Sequence, residues 1–205
     1  MKGLLVDFGG VLTSSVWESF SAFCRAENIE EDRVKQLFRS DPDALKLLRR
    51  LEIGELTEDE FSREFGPRIG VANHDGLVDR LFGGMQPDEA MIESLRRARA
   101  AGVRTGLISN SWGRGRYDRD AFPKLFDGVV ISGEVGLHKP QPEIYRLGAD
   151  RIGKQPEECV FVDDLRENCE GAEAVGMTAV LHRDAAATLE RLEELLGVPL
   201  RDATS

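Results

Sequence analysis

The chain opens on a short apolar run, Leu4-Leu5-Val6, that stops at a single Asp7 and is followed by Phe8, Gly9, Gly10, Val11 and Leu12. A run of this length that ends in turn residues predicts a buried strand. The next stretch changes period. Val16, Phe20 and Phe23 fall on one helical face, as do Val34, Leu37 and Phe38, and Leu45, Leu48 and Leu51 continue the pattern. Thr57 and Glu60 have the T-x-x-E spacing of a capping box ahead of Phe61 and Phe65. No strand pattern occurs between residues 14 and 87, which predicts an all-helical segment there.

From residue 88 the period alternates. PDEAMIESLRRARAAG reads as a helix with Pro87 near its first position, acids early, arginines late and Gly102 as its stop. VRTGLIS (103–109), DGVVIS (127–132), CVFVDD (159–164) and TAVL (178–181) read as strands. Helices are predicted between them and after them, at 142–153, 167–176 and 184–197. Strands separated by helices call for a parallel sheet covered on both faces. The expected architecture is therefore α/β. Residues 1–13 and 88–205 form a doubly wound parallel-sheet, Rossmann-like core, and residues 14–87 a small all-helical cap inserted after the first strand.

Composition narrows the class without naming the chemistry. Of 205 residues, 41% are hydrophobic and 31% charged, as in a soluble globular protein. No apolar run nears the ~20 residues needed to span a bilayer. No basic, apolar and cleavage-site series precedes the first strand, so a cytoplasmic location is expected. The formal net charge of −10 argues against a nucleic-acid binder, whose affinity rests on clustered Lys and Arg. Cys24, Cys159 and Cys169 lack metal-ligand spacing and read as reduced, packed thiols.

In an open parallel sheet, ligands bind beyond the carboxyl ends of the strands. Those ends carry Asp7, Ser109 with Asn110, and Asp163 with Asp164, while Lys139 follows the third strand. Taken singly, each also fits a turn, a helix cap or a solvated surface. Taken in order, three carboxylates on one rim would repel unless a hard divalent cation such as Mg²⁺ joined them. A lysine and a Ser–Asn turn beside that metal would hold an anion, which points to phosphoryl transfer through an aspartyl-phosphate. The string Asp7-Phe8-Gly9 also spells a kinase motif, but no kinase lobe precedes it.

VDFGGVLT, LISNS, Lys139 in its K-P-x-P-x-I-Y context and FVDDLRENCEGA resemble the four motifs of the haloacid dehalogenase (HAD) superfamily, in order and across essentially the whole chain. The early helical segment and GELTEDEF (54–61) resemble the subgroup near the amino-terminal phosphatase domain of soluble epoxide hydrolase. The resemblance implies Asp7 as nucleophile and metal ligand, and Ser109 with the Asn110 backbone as phosphate binders. It implies Lys139 as the group that neutralises nucleophile and phosphoryl charge. Asp163, Asp164 and the carbonyl at Gly9 would complete a Mg²⁺ site. The partner implied is a small phosphorylated metabolite, with no nucleic acid and no membrane, and the protein a monomer or homodimer.

One departure stands out. Family phosphatases carry a second Asp two residues after the nucleophile, where this chain has Gly9. General acid–base help is worth roughly 10²–10⁴-fold in rate. Its loss implies a slow phosphatase, a substrate with a good leaving group, or a replacement acid. A weak or inactive member that binds a phospho-ligand or protein partner is the alternative, and a 2-haloacid dehalogenase a further one. Trp112, Arg114 and Arg116 belong to a loop that would overhang the site, and His138 is a candidate substitute acid.

Overall fold

The computed structural model describes residues 2–113 and 117–201, so Arg114 and Arg116 lie outside the described residues. Five parallel strands form one sheet: β1 (Gly3–Val6), β2 (Arg104–Ser109), β3 (Gly128–Ile131), β4 (Cys159–Asp163) and β5 (Thr178–Leu181), in the order β3-β2-β1-β4-β5. β1 is central and every residue in it is buried. Its alternating side chains feed two cores. Leu4 and Val6 join Met91, Leu95 and Leu192 on one face, and Leu5 joins Ile144, Tyr145 and Phe161 on the other. Burial on both faces is why the strands read as continuous apolar runs.

Register decides where the chemistry lies. Val6 is paired with Leu107 on one side and Val162 on the other. Asp7, the next residue, therefore emerges between the ends of β2 and β4, and its N–H donates to the Val162 carbonyl at 2.9 Å. Helices α6 (Glu89–Ala100), α9 (Pro142–Arg151), α10 (Arg166–Glu173) and α11 (Ala185–Leu196) cover the sheet, with short turns α7 (Phe122–Leu125) and α8 (Ser132–Val135) between strands.

Between β1 and α6 run α1 (Val16–Ala26), α2 (Arg33–Ser40), α3 (Pro42–Glu52), α4 (Glu58–Ile69) and α5 (Leu77–Phe82), which share a separate apolar cluster. Phe38 and Phe61 both stack on Phe65, with ring centres 4.8 and 5.0 Å away. The Thr57–Glu60 capping box forms in both directions. One helical face differs from expectation. In α3 the buried side chains are Ala44, Leu47 and Leu51, while Leu45 is 43% exposed. Steps of three residues drift around a helix, and Asp41 caps the N–H groups of Asp43 and Ala44, which turns the small Ala44 inward. Pro87 likewise lies before α6, whose cap is Asp88, accepting from Met91 N at 3.0 Å.

Backbone contacts help join these helices to the sheet. The entering and leaving chains run side by side, with Ser14 N–H on Gln86 O at 2.7 Å and Asp88 N–H on Leu12 O at 2.9 Å. A second contact is the turn after α3. Gly54 has φ +78° and sits where an added Cβ would be 2.9 Å from the Gly133 carbonyl. Gly70 shares that backbone conformation, at φ +79°, with nothing within 4 Å of its added Cβ. Both alanine substitutions carry the left-handed penalty, but only Gly54→Ala also overpacks. Urea unfolding should show Gly54→Ala losing at least about 1 kcal/mol more stability than Gly70→Ala. Equal losses would mean that this turn does not press on the core.

Candidate active site

Lys139 reaches the rim from the loop between β3 and α9. Its ammonium is 2.7 Å from Asp7 Oδ1 and 2.7 Å from Asp163 Oδ2, and all three residues are buried. The contact to Asp163 is a hydrogen bond. The contact to Asp7 is a buried ion pair at the same distance. Two amide side chains fix the geometry. Asn110 brackets the lysine backbone, accepting from Lys139 N–H at 2.8 Å and donating to its carbonyl at 3.2 Å. Asn168 donates to both Asp163 oxygens at 3.0 and 3.1 Å, and Tyr145 Oη donates to the Asn168 carbonyl at 2.8 Å. Asp163 Oδ1 also accepts from Leu165 N–H at 2.9 Å.

Carboxyl oxygens of Asp7, Asp163 and Asp164 lie within 4.8 Å of one another. One ammonium does not balance three acids. Burial pushes the Asp7 carboxyl up to about 7, against the pull of Lys139 and with added repulsion from Asp163 and Asp164. Burial and then Asp163 push Asp164 up to about 6. Burial alone would lower the Lys139 ammonium, but Asp163 and Asp7 overcome it and hold it above its usual value. A cluster of hard oxygen donors with uncompensated negative charge suits a divalent cation. Gly10, at φ +76°, passes so close that an added Cβ would be 2.6 Å from Asp164 Oδ2, so the main chain itself forms a wall of the cluster.

These groups open into a cavity of about 570 Å³ between the sheet end and the helical segment, within the range of small-molecule sites. Asp7, Gly9, Ser109, Asn110, Lys139 and Asp164 line its polar end. Much of the remaining wall is apolar, from Phe8, Val16, Trp17, Phe82, Met85 and Trp112 among others. Ser109 Oγ lies 2.9 Å from Tyr117 Oη, whose phenol burial pushes up to about 12, so it stays neutral.

The structure thus brings Asp7, Gly9, Ser109, Asn110, Lys139, Asp163 and Asp164 together. Trp112 lines the cavity and packs 4.7 Å from the Phe82 ring, tying the loop after β2 to the helical segment. His138 does not line it. Its Nδ1 is 2.8 Å from the Lys139 carbonyl and its main-chain N–H donates to Gln141 Oε1 at 2.9 Å, so ring and backbone both brace the lysine loop. Two participants were not singled out from sequence: Asn168, and Glu52, which enters the cavity from α3. Asn168 stands five residues past Asp163, on the turn that starts α10, a spacing that could have marked it.

A family model described as haloacid dehalogenase-like hydrolase matches residues 1–176. The chain is 31% identical over 120 residues to the bifunctional epoxide hydrolase 2 of Rattus norvegicus, covering 55% of this chain but only 22% of that relative's length. It is 26% identical over 202 residues to the sesquiterpene phosphatase astK of Aspergillus oryzae, covering 94% of this chain and 85% of that one. A HAD family enzyme from Bacteroides thetaiotaomicron, solved with magnesium and inorganic phosphate, superposes with a TM-score of 0.65 at 21% identity, over 89% of this chain and 94% of that one. That last likeness shows the fold. With the family model spanning four of the five strands and the four motif segments that meet at the sheet's edge, the chain belongs to the haloacid dehalogenase-like hydrolases.

Proposed function

We propose that the protein is a Mg²⁺-dependent phosphatase that cleaves a phosphate monoester through an aspartyl-phosphate on Asp7. The observation that carries this reading is the buried Asp7–Lys139–Asp163 contact at the polar end of the cavity. Lys139 holds one Asp7 oxygen, which leaves the other to attack phosphorus. The phosphorus–ester oxygen bond breaks as the Asp7 oxygen–phosphorus bond forms, and the alcohol departs. Water then attacks the same phosphorus, returning Asp7 as carboxylate and releasing phosphate. Ser109 and the backbone of Asn110 cradle the phosphoryl oxygens, and Lys139 offsets their charge. Asp7, Asp163, Asp164 and the Gly9 carbonyl would hold Mg²⁺, which when bound supplies positive charge beside the phosphoryl group.

Residues 14–87 would act as a cap over this cavity, hinging where residues 12–14 and 86–88 run side by side. Because Trp17, Phe82, Met85 and Trp112 line the wall, the alcohol part of the substrate is a hydrocarbon rather than a sugar. The similarity to a protein named a sesquiterpene phosphatase supports the same class.

Phosphate release should be measured from isoprenyl and alkyl monophosphates against sugar phosphates, with Mg²⁺ or EDTA. Release should require Mg²⁺, vanish in Asp7→Asn, and rise in kcat/KM with alkyl length, by up to about 0.8 kcal/mol per buried methylene. A preference for sugar phosphates would refute the hydrocarbon assignment, and Mg²⁺-independent release would refute the mechanism.

Stability supplies a second test. Asp7 and Asp164 titrate at about 7 and about 6 in the metal-free fold, against 3.8 for an ordinary Asp. The folded state then binds more protons than the unfolded one in that window, so stability falls as pH rises through it. In EDTA the melting temperature should drop between about pH 5 and pH 7.5, and saturating Mg²⁺ should flatten the drop by taking the place of those protons. Asp164→Asn should be more stable than wild type in EDTA at neutral pH and respond less to Mg²⁺. A pH-independent melting temperature in EDTA would contradict the charge imbalance.

A further inference from the structure

Gly9 leaves the reaction without its expected acid, and the side chains nearest that position are apolar. A Cβ built on Gly9 would stand 3.0 Å from Val16 Cγ2, so the wall next to the nucleophile is hydrocarbon. A proton for the departing oxygen has to come from another side of the cavity. Five carboxylates line it: Asp7, Glu52, Glu89, Asp118 and Asp164. Asp7 and Asp164 belong to the cation cluster. Glu89 and Asp118 are exposed at the rim. Glu52 is the remaining one.

Its placement is unusual for its helix. Glu52 is the last residue of α3, two residues after Arg49-Arg50. A helix C-terminus favours cations and disfavours a carboxylate. A local rule broken without local compensation marks a functional position more often than a structural one. No described residue donates a hydrogen bond to the Glu52 side chain, whereas its main chain is held firmly. Ser132 Oγ donates to the Glu52 carbonyl, and Ser132 Oγ itself accepts from Ser111 N–H at 2.7 Å. Ser111 directly follows the Ser109–Asn110 turn, and Gly54, two residues past Glu52, abuts the Gly133 backbone. The helical segment thus touches the core at the residue that carries this carboxyl, next to the phosphate-binding turn. Burial pushes the group up to about 8, against Lys139 and Arg49 and with repulsion from Asp7, which suits a proton donor at neutral pH.

We propose that Glu52 is the general acid and base of this enzyme, replacing from the helical segment the acid that the chain lacks at Gly9. The inference rests on the phosphatase reading above. In the first half-reaction the Glu52 carboxyl gives its proton to the ester oxygen as the phosphorus–oxygen bond breaks and Asp7 is phosphorylated, so that a neutral alcohol leaves. In the second, the Glu52 carboxylate takes a proton from the water whose oxygen attacks phosphorus, which regenerates the acid as Asp7 is freed. Seating this acid on the helical segment would also couple chemistry to closure, because the proton donor is complete only when α3 lies against α8.

The test compares leaving groups in the full-length protein with Mg²⁺. Wild type is first shown to hydrolyse p-nitrophenyl phosphate and an alkyl phosphate in an Asp7-dependent manner. Failure at that stage refutes the phosphatase reading, and this proposal with it, before any Glu52 variant is made. Glu52→Gln should then lose roughly 10²-fold or more of kcat on the alkyl phosphate. With p-nitrophenyl phosphate, which needs no protonation, the first turnover should stay near wild-type speed and later turnovers slow, giving a burst of p-nitrophenolate. Equal loss on both substrates in the first turnover, or no loss on either, would overturn the proposal. Glu52→Asp, which keeps a carboxyl one methylene shorter, should restore part of the alkyl phosphate rate, and it carries the same comparison if the glutamine variant folds poorly.

Discussion

A single ammonium between two buried carboxylates sets the terms for everything else in this molecule. Lys139 lies 2.7 Å from both Asp7 and Asp163, and none of the three is open to bulk water. Buried charges survive only with close partners and satisfied hydrogen bonds, since desolvation of each ion costs several kcal/mol. The fold meets that demand through backbone as much as through side chains. The pairing of β1 with β2 and β4 delivers Asp7 between Ser109 and Asp163, Asn110 clamps the lysine main chain, and Asn168 holds Asp163 with both oxygens occupied. Negative charge is left over, and that surplus is what a divalent cation would balance.

The second constraint is apolar. The sheet has a core on each face, and the five helices between β1 and α6 have a third of their own. Where that third core meets the sheet edge it does not close, and aromatic side chains such as Trp17, Phe82 and Trp112 line the gap. Val16 lies beside Gly9, with its Cγ2 3.0 Å from where a Cβ on that glycine would stand. Glycine at this position thus leaves an apolar wall where a carboxyl would add charge.

Much of this was legible in the sequence, for identifiable reasons. Buried parallel strands must be apolar along their length, so Leu4–Val6 and Cys159–Val162 declare themselves, and chemistry at their carboxyl ends follows from the topology. The capping box at Thr57 is a local code and forms as expected. The face of α3 was harder, because Ala44 carries too little hydrophobicity to reveal its inward position. His138 has the acid–base chemistry of a catalytic residue but spends it on the Lys139 carbonyl, a contact set by tertiary geometry. Glu52 was invisible for the opposite reason. Its significance depends on a meeting between α3 and α8 across eighty residues of sequence, which no periodicity encodes.

The central claim is that phosphorus becomes covalently bound to Asp7, and it is most directly tested by catching that bond. The protein would be mixed briefly with acetyl phosphate and Mg²⁺, quenched in acid, digested and mapped by mass spectrometry. A phosphoryl group should appear on the peptide that contains Asp7, and be absent when Mg²⁺ is withheld and absent from Asp7→Asn. Phosphoryl transfer to another residue, or turnover with Asp7 never modified, would contradict it.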